Sequence, residues 1–246
     1  MIKLVVCYCL LFSCSLFAQC NTTVKIAVIN NSPPYSYLQD NRYEGIDVDI
    51  ARKVLQAVGV CFEFVEMPNV ERAKRYLAMG RINMMMGIQY TDAQNRSAIY
   101  SLSYRDNVQR LFINKAEFLK KHTLIELLKL EPLILFDTGQ YAGPEIDYLR
   151  SEPSFRDNFQ SVATMSQRLV MLSREHGDIS IENELAGQYF IREQKLSTIL
   201  MHPYLVQRDP VFFIFSRKNP ILTEDQRQQL DLLLLAETEK ITTEIE

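Results

Sequence analysis

Residues suited to binding a small anion follow a predicted buried strand, in the segment Thr91-Asp92-Ala93-Gln94-Asn95-Arg96. Thr91 predicts the start of a helix, whose first turn presents unpaired N–H groups and partial positive charge. Arg96 adds a guanidinium that can donate two parallel hydrogen bonds to a carboxylate. The residues alone leave a second interpretation open, in which Arg96 pairs with a surface aspartate.

Two other segments carry residues that could contact a ligand. Tyr35 and Tyr37 follow Pro33-Pro34 in a loop between a predicted strand and a predicted helix. Their rings could stack on a ligand or pack as part of the core. Residues 139–143 (Gly-Gln-Tyr-Ala-Gly) lie between a strand and a helix, so their backbone N–H groups could face a ligand. A glycine turn without a ligand is equally consistent with this pattern.

Catalytic patterns are missing from the sequence. His122, His176 and His202 do not have the spacing of metal ligands, and there is no nucleophile elbow or phosphate-binding glycine loop. The paired carboxylates Glu182/Glu184 are more typical of a solvated face or a helix cap than of an acid–base pair. The sequence therefore predicts a protein that is not an enzyme and has no cofactor or metal site.

Composition limits the class of protein. The chain has 246 residues, of which 47% are hydrophobic, enough for one large or two small domains. The net charge is −3 and the sequence contains no basic block, which argues against nucleic-acid binding. Beyond the N-terminus no run of about 18 apolar residues predicts a membrane span.

The N-terminal segment differs from the rest of the chain. Residues 1–20 have one lysine, an apolar stretch and then small residues, which predicts a signal peptide cleaved near Ala18. A buried N-terminal strand and lipid attachment at Cys20 are the alternatives. After cleavage only Cys20 and Cys61 remain, and export to an oxidising compartment favours a disulfide between them. If Cys20 is lipidated instead, Cys61 is a buried free thiol.

The predicted elements form two α/β lobes. Strands over 24–29, 61–66 and 82–88 alternate with helices over 45–58 and 69–80, a pattern typical of a parallel sheet. The alternation restarts near residue 130 with a strand over 133–136. We therefore expect lobe 1 to comprise residues 21–109 and 208–246, and lobe 2 residues 110–207. Strands that cross between the lobes would form a hinge.

The remaining predicted elements complete the two lobes. Further strands are predicted over 108–114, 178–181 and 211–215. Further helices are predicted over 91–99, near 123–129, from 146, over 165–172 and over 185–191, and a C-terminal helix follows the capping box Thr223-Glu224-Asp225-Gln226.

An ordered series of motifs resembles the bacterial family 3 extracellular solute-binding proteins, the periplasmic receptors of polar amino acid ABC transporters. The series runs from about residue 24 to 235. Its members are Pro-Pro-Tyr-Ser-Tyr at 33–37, Tyr-Glu-Gly-Ile-Asp-Val-Asp-Ile at 43–50, Met-Gly-Arg-Ile-Asn at 79–83, Thr91 to Arg96, Tyr100-Ser101, the glycine turn at 139–143 and His-Gly-Asp-Ile at 176–179.

The resemblance implies a type II periplasmic binding protein fold. In this α/β fold two lobes, each a mainly parallel sheet flanked by helices and joined by a two-strand hinge, close on a ligand. It also implies that Arg96 holds a ligand carboxylate. The full set of residues it assigns to the ligand site is Tyr35, Tyr37, Met86, Gly87, Ile88, Gln89, Thr91, Arg96, Gln140, Tyr141, Glu182 and Asn183.

The sequence departs from the family pattern at two ligand positions. Arg96 lies five residues after Thr91, where the family has a spacing of three. Asn183, flanked by Glu182 and Glu184, stands where the family places the carboxylate that binds a ligand ammonium. These departures argue against a standard L-amino acid as ligand.

The function that we expect is capture of a small polar, carboxylate-bearing solute by a monomeric periplasmic protein, for delivery to an ABC permease. Two alternatives remain. One is an enzyme of the cyclohexadienyl dehydratase type on the same fold, with Glu182 or Glu184 as its acid. The other is a ligand-binding partner of a membrane sensor.

Overall fold

A computed structural model describes residues 22–137, 139 and 143–245, with side chains described as far as residue 237. The predicted signal peptide, Cys20, Gln140 and Tyr141 therefore lie outside the described residues. Within the described part of the chain, no helix is both long and apolar enough to cross a membrane.

Strands and helices alternate along the chain, as the sequence predicts. The strands are β1 (Thr23–Ile29), β2 (Tyr37–Gln39), β3 (Arg42–Glu44), β4 (Cys61–Met67), β5 (Met84–Gln89), β6 (Ala98–Ile113), β7 (Ile134–Phe136), β8 (Phe159–Ser161), β9 (Ile179–Asn183) and β10 (Leu200–Ser216). The helices are α1 (Ile46–Ala57), α2 (Val70–Ala78), α3 (Asp92–Asn95), α4 (Leu124–Leu128), α5 (Pro144–Ser151), α6 (Met165–Ser173), α7 (Glu184–Glu193) and α8 (Glu224–Ile245).

Eight of these strands form one hydrogen-bonded sheet in the order β4-β1-β5-β10-β6-β9-β7-β8, while β2 and β3 form a separate hairpin. Strands β4, β1 and β5 are parallel at one end of the sheet, and β9, β7 and β8 are parallel at the other. Between them the long strands β6 and β10 pair antiparallel with each other. Two parallel α/β halves are thus joined through two antiparallel strands, which is the predicted fold class.

The two joining strands are longer than the sequence predicts. The helix predicted through Ile99 ends at Asn95, and the strand predicted from 108 begins at Ala98. The last strand begins at Leu200 instead of 211. Both corrections have one cause. Residues 98–113 and 200–216 are extended because they pair with each other in the sheet. Polar residues such as Arg105 and Asn107 interrupt the apolar pattern by which a strand is predicted, so the local sequence does not indicate this long-range pairing.

Helices cover both faces of the sheet in each half. In lobe 1, α1 and α8 pack on one face through residues such as Val54 and Leu230, and α2 packs on the other through Leu77. In lobe 2, α4 and α5 cover one face and α6 the other, with Leu127 and Leu169 fully buried. Separate apolar cores are therefore present on either side of the long strands, and the exact lobe boundaries stay a prediction.

Candidate ligand-binding cleft

A cavity of about 430 Å³ opens where the loop after β1, the end of β5 and the start of α7 meet. Its lining draws on both lobes, since Tyr35 and Gly87 belong to lobe 1 whereas Asn183 and Ala186 belong to lobe 2. The apolar part of the lining comprises Ala27, Ile29, Val70, Met85, Met86, Ile88, Ala186 and Val211. The polar part comprises Ser32, Tyr35, Ser36, Asp47, Lys74, Gln89, Thr91, Gln94, Arg105, Asn107 and Asn183.

The loop that carries Tyr35 is fixed to the N-terminus of α1. The amides of Ile46 and Asp47 donate to the carbonyls of Pro34 and Tyr35, at 2.9 and 3.1 Å. Gly45 has φ +118°, and a Cβ at this position would lie 2.5 Å from the Tyr35 carbonyl oxygen. Only glycine allows this close approach, so the helix start and the loop determine each other's position.

Tyr35 reaches across the cleft. Its hydroxyl donates to Asn183 Oδ1 at 2.7 Å, a bond between residues 148 positions apart. Burial raises the pKa of Tyr35 above its usual value, so the phenol stays protonated and remains a donor. Asn183 also caps α7 by accepting from the Ala186 amide, and its Nδ2 donates to Asn107 Oδ1 at 2.7 Å. A hydrogen-bond network therefore links the two lobes at the cavity wall.

A charged pair lies beneath the Tyr35 ring. Arg105 donates from Nε and Nη2 to the two oxygens of Asp47, at 2.6 and 2.8 Å. The guanidinium carbon lies 3.9 Å from the centroid of the Tyr35 ring, which covers it as a cation–π contact. Burial alone would lower the pKa of Arg105, but the hydrogen bonds and charge of Asp47 raise it overall.

The end of β5 forms another wall. Gly87, Ile88 and Gln89 all line the cavity, as does Thr91 just beyond the strand. The Gly87 amide donates to the Tyr104 hydroxyl at 2.8 Å, and Gln89 Nε2 donates to Asp209 at 2.8 Å. Thr91 caps α3 by accepting from the Gln94 amide. These residues therefore have partners within the protein and present an ordered surface to the cavity.

Other residues assigned from the sequence lie elsewhere. Arg96 is an exposed residue at the C-terminal end of α3 and is not in the cavity lining. Tyr37 lies on β2, with its ring 6.3 Å from that of Tyr189 on α7. Glu182 is buried in lobe 2, where both its oxygens accept from Arg168 at 2.6 and 2.7 Å. The positions of Gln140 and Tyr141 lie outside the described residues.

Sequence reasoning missed seven polar residues that line the cavity, namely Ser32, Ser36, Asp47, Lys74, Gln94, Arg105 and Asn107. Asp47 belongs to the Gly-Ile-Asp-Val-Asp motif, but a helix start also explains an acidic residue there. Lys74 lies one helical turn after Val70, and this spacing could have placed both on one face of α2. Nothing local in the sequence of β6 distinguishes Arg105 and Asn107 from other polar residues.

Comparison with known proteins supports the same architecture. Many solved structures match this fold, and the following three do so at low sequence identity. ArtJ, an arginine-, lysine-, histidine-binding protein from Geobacillus stearothermophilus, is 15% identical with a TM-score of 0.62, over 89% of this chain and 90% of that one. A double mutant of the BvgS VFT2 domain from Bordetella pertussis is 15% identical with a TM-score of 0.66, over 90% and 92%. A histidine kinase sensor domain with similarity to periplasmic binding proteins is 16% identical with a TM-score of 0.62, over 91% and 93%.

At these identities the likeness establishes the two-lobed fold and leaves the ligand open. No curated protein sequence matches the chain. Residues 24–231, however, match the model of a single family across the sequence of both lobes. The chain belongs to the bacterial extracellular solute-binding proteins, family 3.

Proposed function

We propose that the protein captures a small carboxylate-bearing solute between its two lobes. The observation that carries the proposal is the cavity of about 430 Å³, whose walls come from both lobes. A cavity of this size suits a small molecule, and its mixture of apolar walls with a few ordered polar groups is typical of such sites. Closure then follows from contacts that both lobes make with the same ligand.

Binding without turnover is the form of this function that we favour. A dehydratase would need a general acid that touches the substrate in the cleft. Glu182 is paired with the buried Arg168, and Glu184 lies 3.2 Å from Arg110 Nε. Neither carboxylate lines the cavity. These pairings argue against the two acids that the sequence offers for catalysis.

We further propose that the protein acts in the periplasm as a monomer and that a membrane protein recognises its closed form. A permease of an ABC transporter is our first choice, and a membrane sensor is the alternative. Membership of an extracellular solute-binding family supports export, for which residues 1–20 would supply the signal peptide and its cleavage site near Ala18, so that Cys20 stays in the mature protein. Fusing residues 1–20 to alkaline phosphatase should give an active, exported enzyme, and an inactive fusion would contradict export.

We propose in addition that Cys20 and Cys61 form a disulfide. Thr23 pairs in register with Cys61 at the edge of the sheet, so Cys20 lies only three residues from the residue opposite Cys61. Closing this loop should stabilise the protein by about 2–4 kcal/mol. Thiol titration of the mature protein in denaturant should find no reactive cysteine before reduction and two after it. Lipid attached to Cys20 would instead leave Cys61 reactive throughout.

A thermal-shift screen against amino acids, organic acids and amines tests the proposed capture of a carboxylate. A ligand at 100 times its dissociation constant should add about 2.7 kcal/mol to the free energy of unfolding. Calorimetry would then give the affinity of each hit, and NMR of the mixture would reveal any product. A screen in which no carboxylate binds would contradict the proposal, and turnover of a hit would favour the dehydratase-type alternative.

A further inference from the structure

Three charged side chains line the cavity in the described part of the chain, namely Asp47, Lys74 and Arg105. A solute that carries a carboxylate needs a positive group, and one that also carries an ammonium needs a negative group as well. The chemical class of the ligand therefore depends on which of these three side chains can change partner.

Asp47 and Arg105 are already committed to each other. Both carboxylate oxygens of Asp47 accept from Arg105, and the two side chains are only 7% and 9% exposed. The Tyr35 ring covers the guanidinium. Separating this pair would leave a buried charge without a partner, which is strongly unfavourable. A ligand therefore cannot draw either group away from its partner at low cost.

Lys74 is held much more weakly. Its Nζ lies 2.9 Å from Glu71 Oε1, in a pair whose side chains are 32% and 76% exposed. Exposed pairs of this kind contribute little stability, and an ammonium has three N–H groups of which Glu71 occupies one. Lys74 can therefore turn toward an anion in the cavity at low cost.

Asp47 is the only carboxylate in the described cavity lining, and it is already paired with Arg105. At the second-lobe position Asn183 replaces a carboxylate, and its Oδ1 already accepts from Tyr35 and from the Ala186 amide. Nearby, Glu182 pairs with Arg168 and Glu184 with Arg110. The positions of lobe 2 that the structure does not describe, 138 and 140–142, are Thr, Gln, Tyr and Ala in the sequence, so none can supply a charge.

We propose that the cleft binds a small carboxylic acid that has no ammonium group, and that Lys74 holds the carboxylate. This inference rests on the proposed capture of a carboxylate-bearing solute and defines its chemical class. The body of the acid would lie against the apolar walls formed by Val70, Met86 and Ile88. An α-amino acid would bring the same carboxylate but would also bury an ammonium without an unpaired carboxylate to balance its charge.

Matched pairs of ligands test the chemical class directly. We suggest 4-methylpentanoate with L-leucine, and 3-phenylpropanoate with L-phenylalanine, because the members of each pair differ only by the ammonium. Calorimetry on the full protein should show that the acid of a pair binds at least tenfold more tightly than the amino acid. Equal or tighter binding of the amino acid would overturn the inference while leaving capture of a carboxylate intact. If neither these acids nor any other carboxylate in the screen binds, the proposed function itself fails.

Variants of three basic residues test the role of Lys74. Lys74→Gln should weaken binding of the acid at least tenfold, whereas Arg96→Gln should change it less than twofold. Lys53→Gln serves as the control, because Lys53 is an exposed helical lysine that pairs with a glutamate, Glu237, and does not line the cavity. Unchanged affinity in Lys74→Gln would overturn this assignment, and a large loss in Arg96→Gln would assign the carboxylate to Arg96 instead.

Discussion

Gly87 shows how closely the residues of the cleft fit together. It has φ +67°, and a Cβ there would lie 2.8 Å from Asp47 Oδ2 and 3.3 Å from Arg105 Nη2. Gly59 has a similar φ of +69° but no atom within 4 Å of such a Cβ. Gly59→Ala therefore measures only the cost of placing a residue with a Cβ at positive φ, which is about 1–2 kcal/mol. We expect Gly87→Ala to lower the free energy of unfolding by at least about 1 kcal/mol more, because it also displaces the buried pair.

Urea denaturation of both variants measures this difference, and calorimetry with a ligand from the screen measures its effect on binding. Gly87→Ala should weaken binding, whereas Gly59→Ala should not. Equal stability of the two variants would mean that the Asp47–Arg105 pair adjusts to a methyl group without cost.

The sequence predicts the cleft only in part. Tyr35, Gly87 to Gln89, Thr91 and Asn183 line the cavity, and all of them belong to the set that the family resemblance assigns to the ligand site. Arg96 belongs to the same set yet lies outside the lining. The position of Arg105 in the cavity wall depends on its ion pair with Asp47, 58 residues away, and a local sequence pattern cannot predict a contact over that separation.

At the scale of elements, α6 and β9 are joined by a buried ion pair. Arg168 and Glu182 are 2% and 1% exposed, and Ser180 adds a third hydrogen bond to the carboxylate. Burial raises the pKa of Glu182, while the charge of Arg168 opposes this rise. Glu182→Gln should therefore lower the free energy of unfolding by up to about 3–5 kcal/mol, because the buried Arg168 keeps only the more distant Asp137, 3.8 Å from its Nη1, as a counter-charge.

Chemical denaturation of Glu182→Gln and of the double variant Arg168→Met/Glu182→Leu measures this effect. The double variant should recover most of the lost stability, since it removes both charges at once. A destabilised double variant would instead assign the cost to packing. If Glu182→Gln were as stable as the unchanged protein, the carboxyl would not be acting as the partner of a buried cation.

Element prediction succeeds where the signal is local. The apolar run of β1 and the amphipathic pattern of α1 identify those elements, whose observed bounds differ from the predicted ones by one or a few residues. The sequence predicts strands β6 and β10 too short because their central residues are polar and only half-buried. The hydrogen bonds between these two strands stabilise their extended conformation, which therefore depends on pairing between segments about 100 residues apart.

At the scale of the whole molecule, the same two strands are the covalent connections between the lobes, and the Tyr35–Asn183 bond is a contact across the open side. A single such hydrogen bond contributes about 0.5–1.5 kcal/mol. If this bond forms only when the lobes are closed, it biases the equilibrium between open and closed forms by about two- to tenfold.

Tyr35→Phe tests this coupling because it removes the hydroxyl and keeps the ring over Arg105. Small-angle scattering should give a larger radius of gyration than for the unchanged protein without ligand, and the same radius at saturating ligand. A ligand that binds only the closed form should lose affinity by the same factor by which the population of the closed form falls.

Tyr37→Phe is the matched control, because the Tyr37 hydroxyl has no hydrogen bond to a described residue although its ring also faces lobe 2. Equal radii and affinities for the two variants would show that the Tyr35 hydroxyl orders the cleft without controlling its closure.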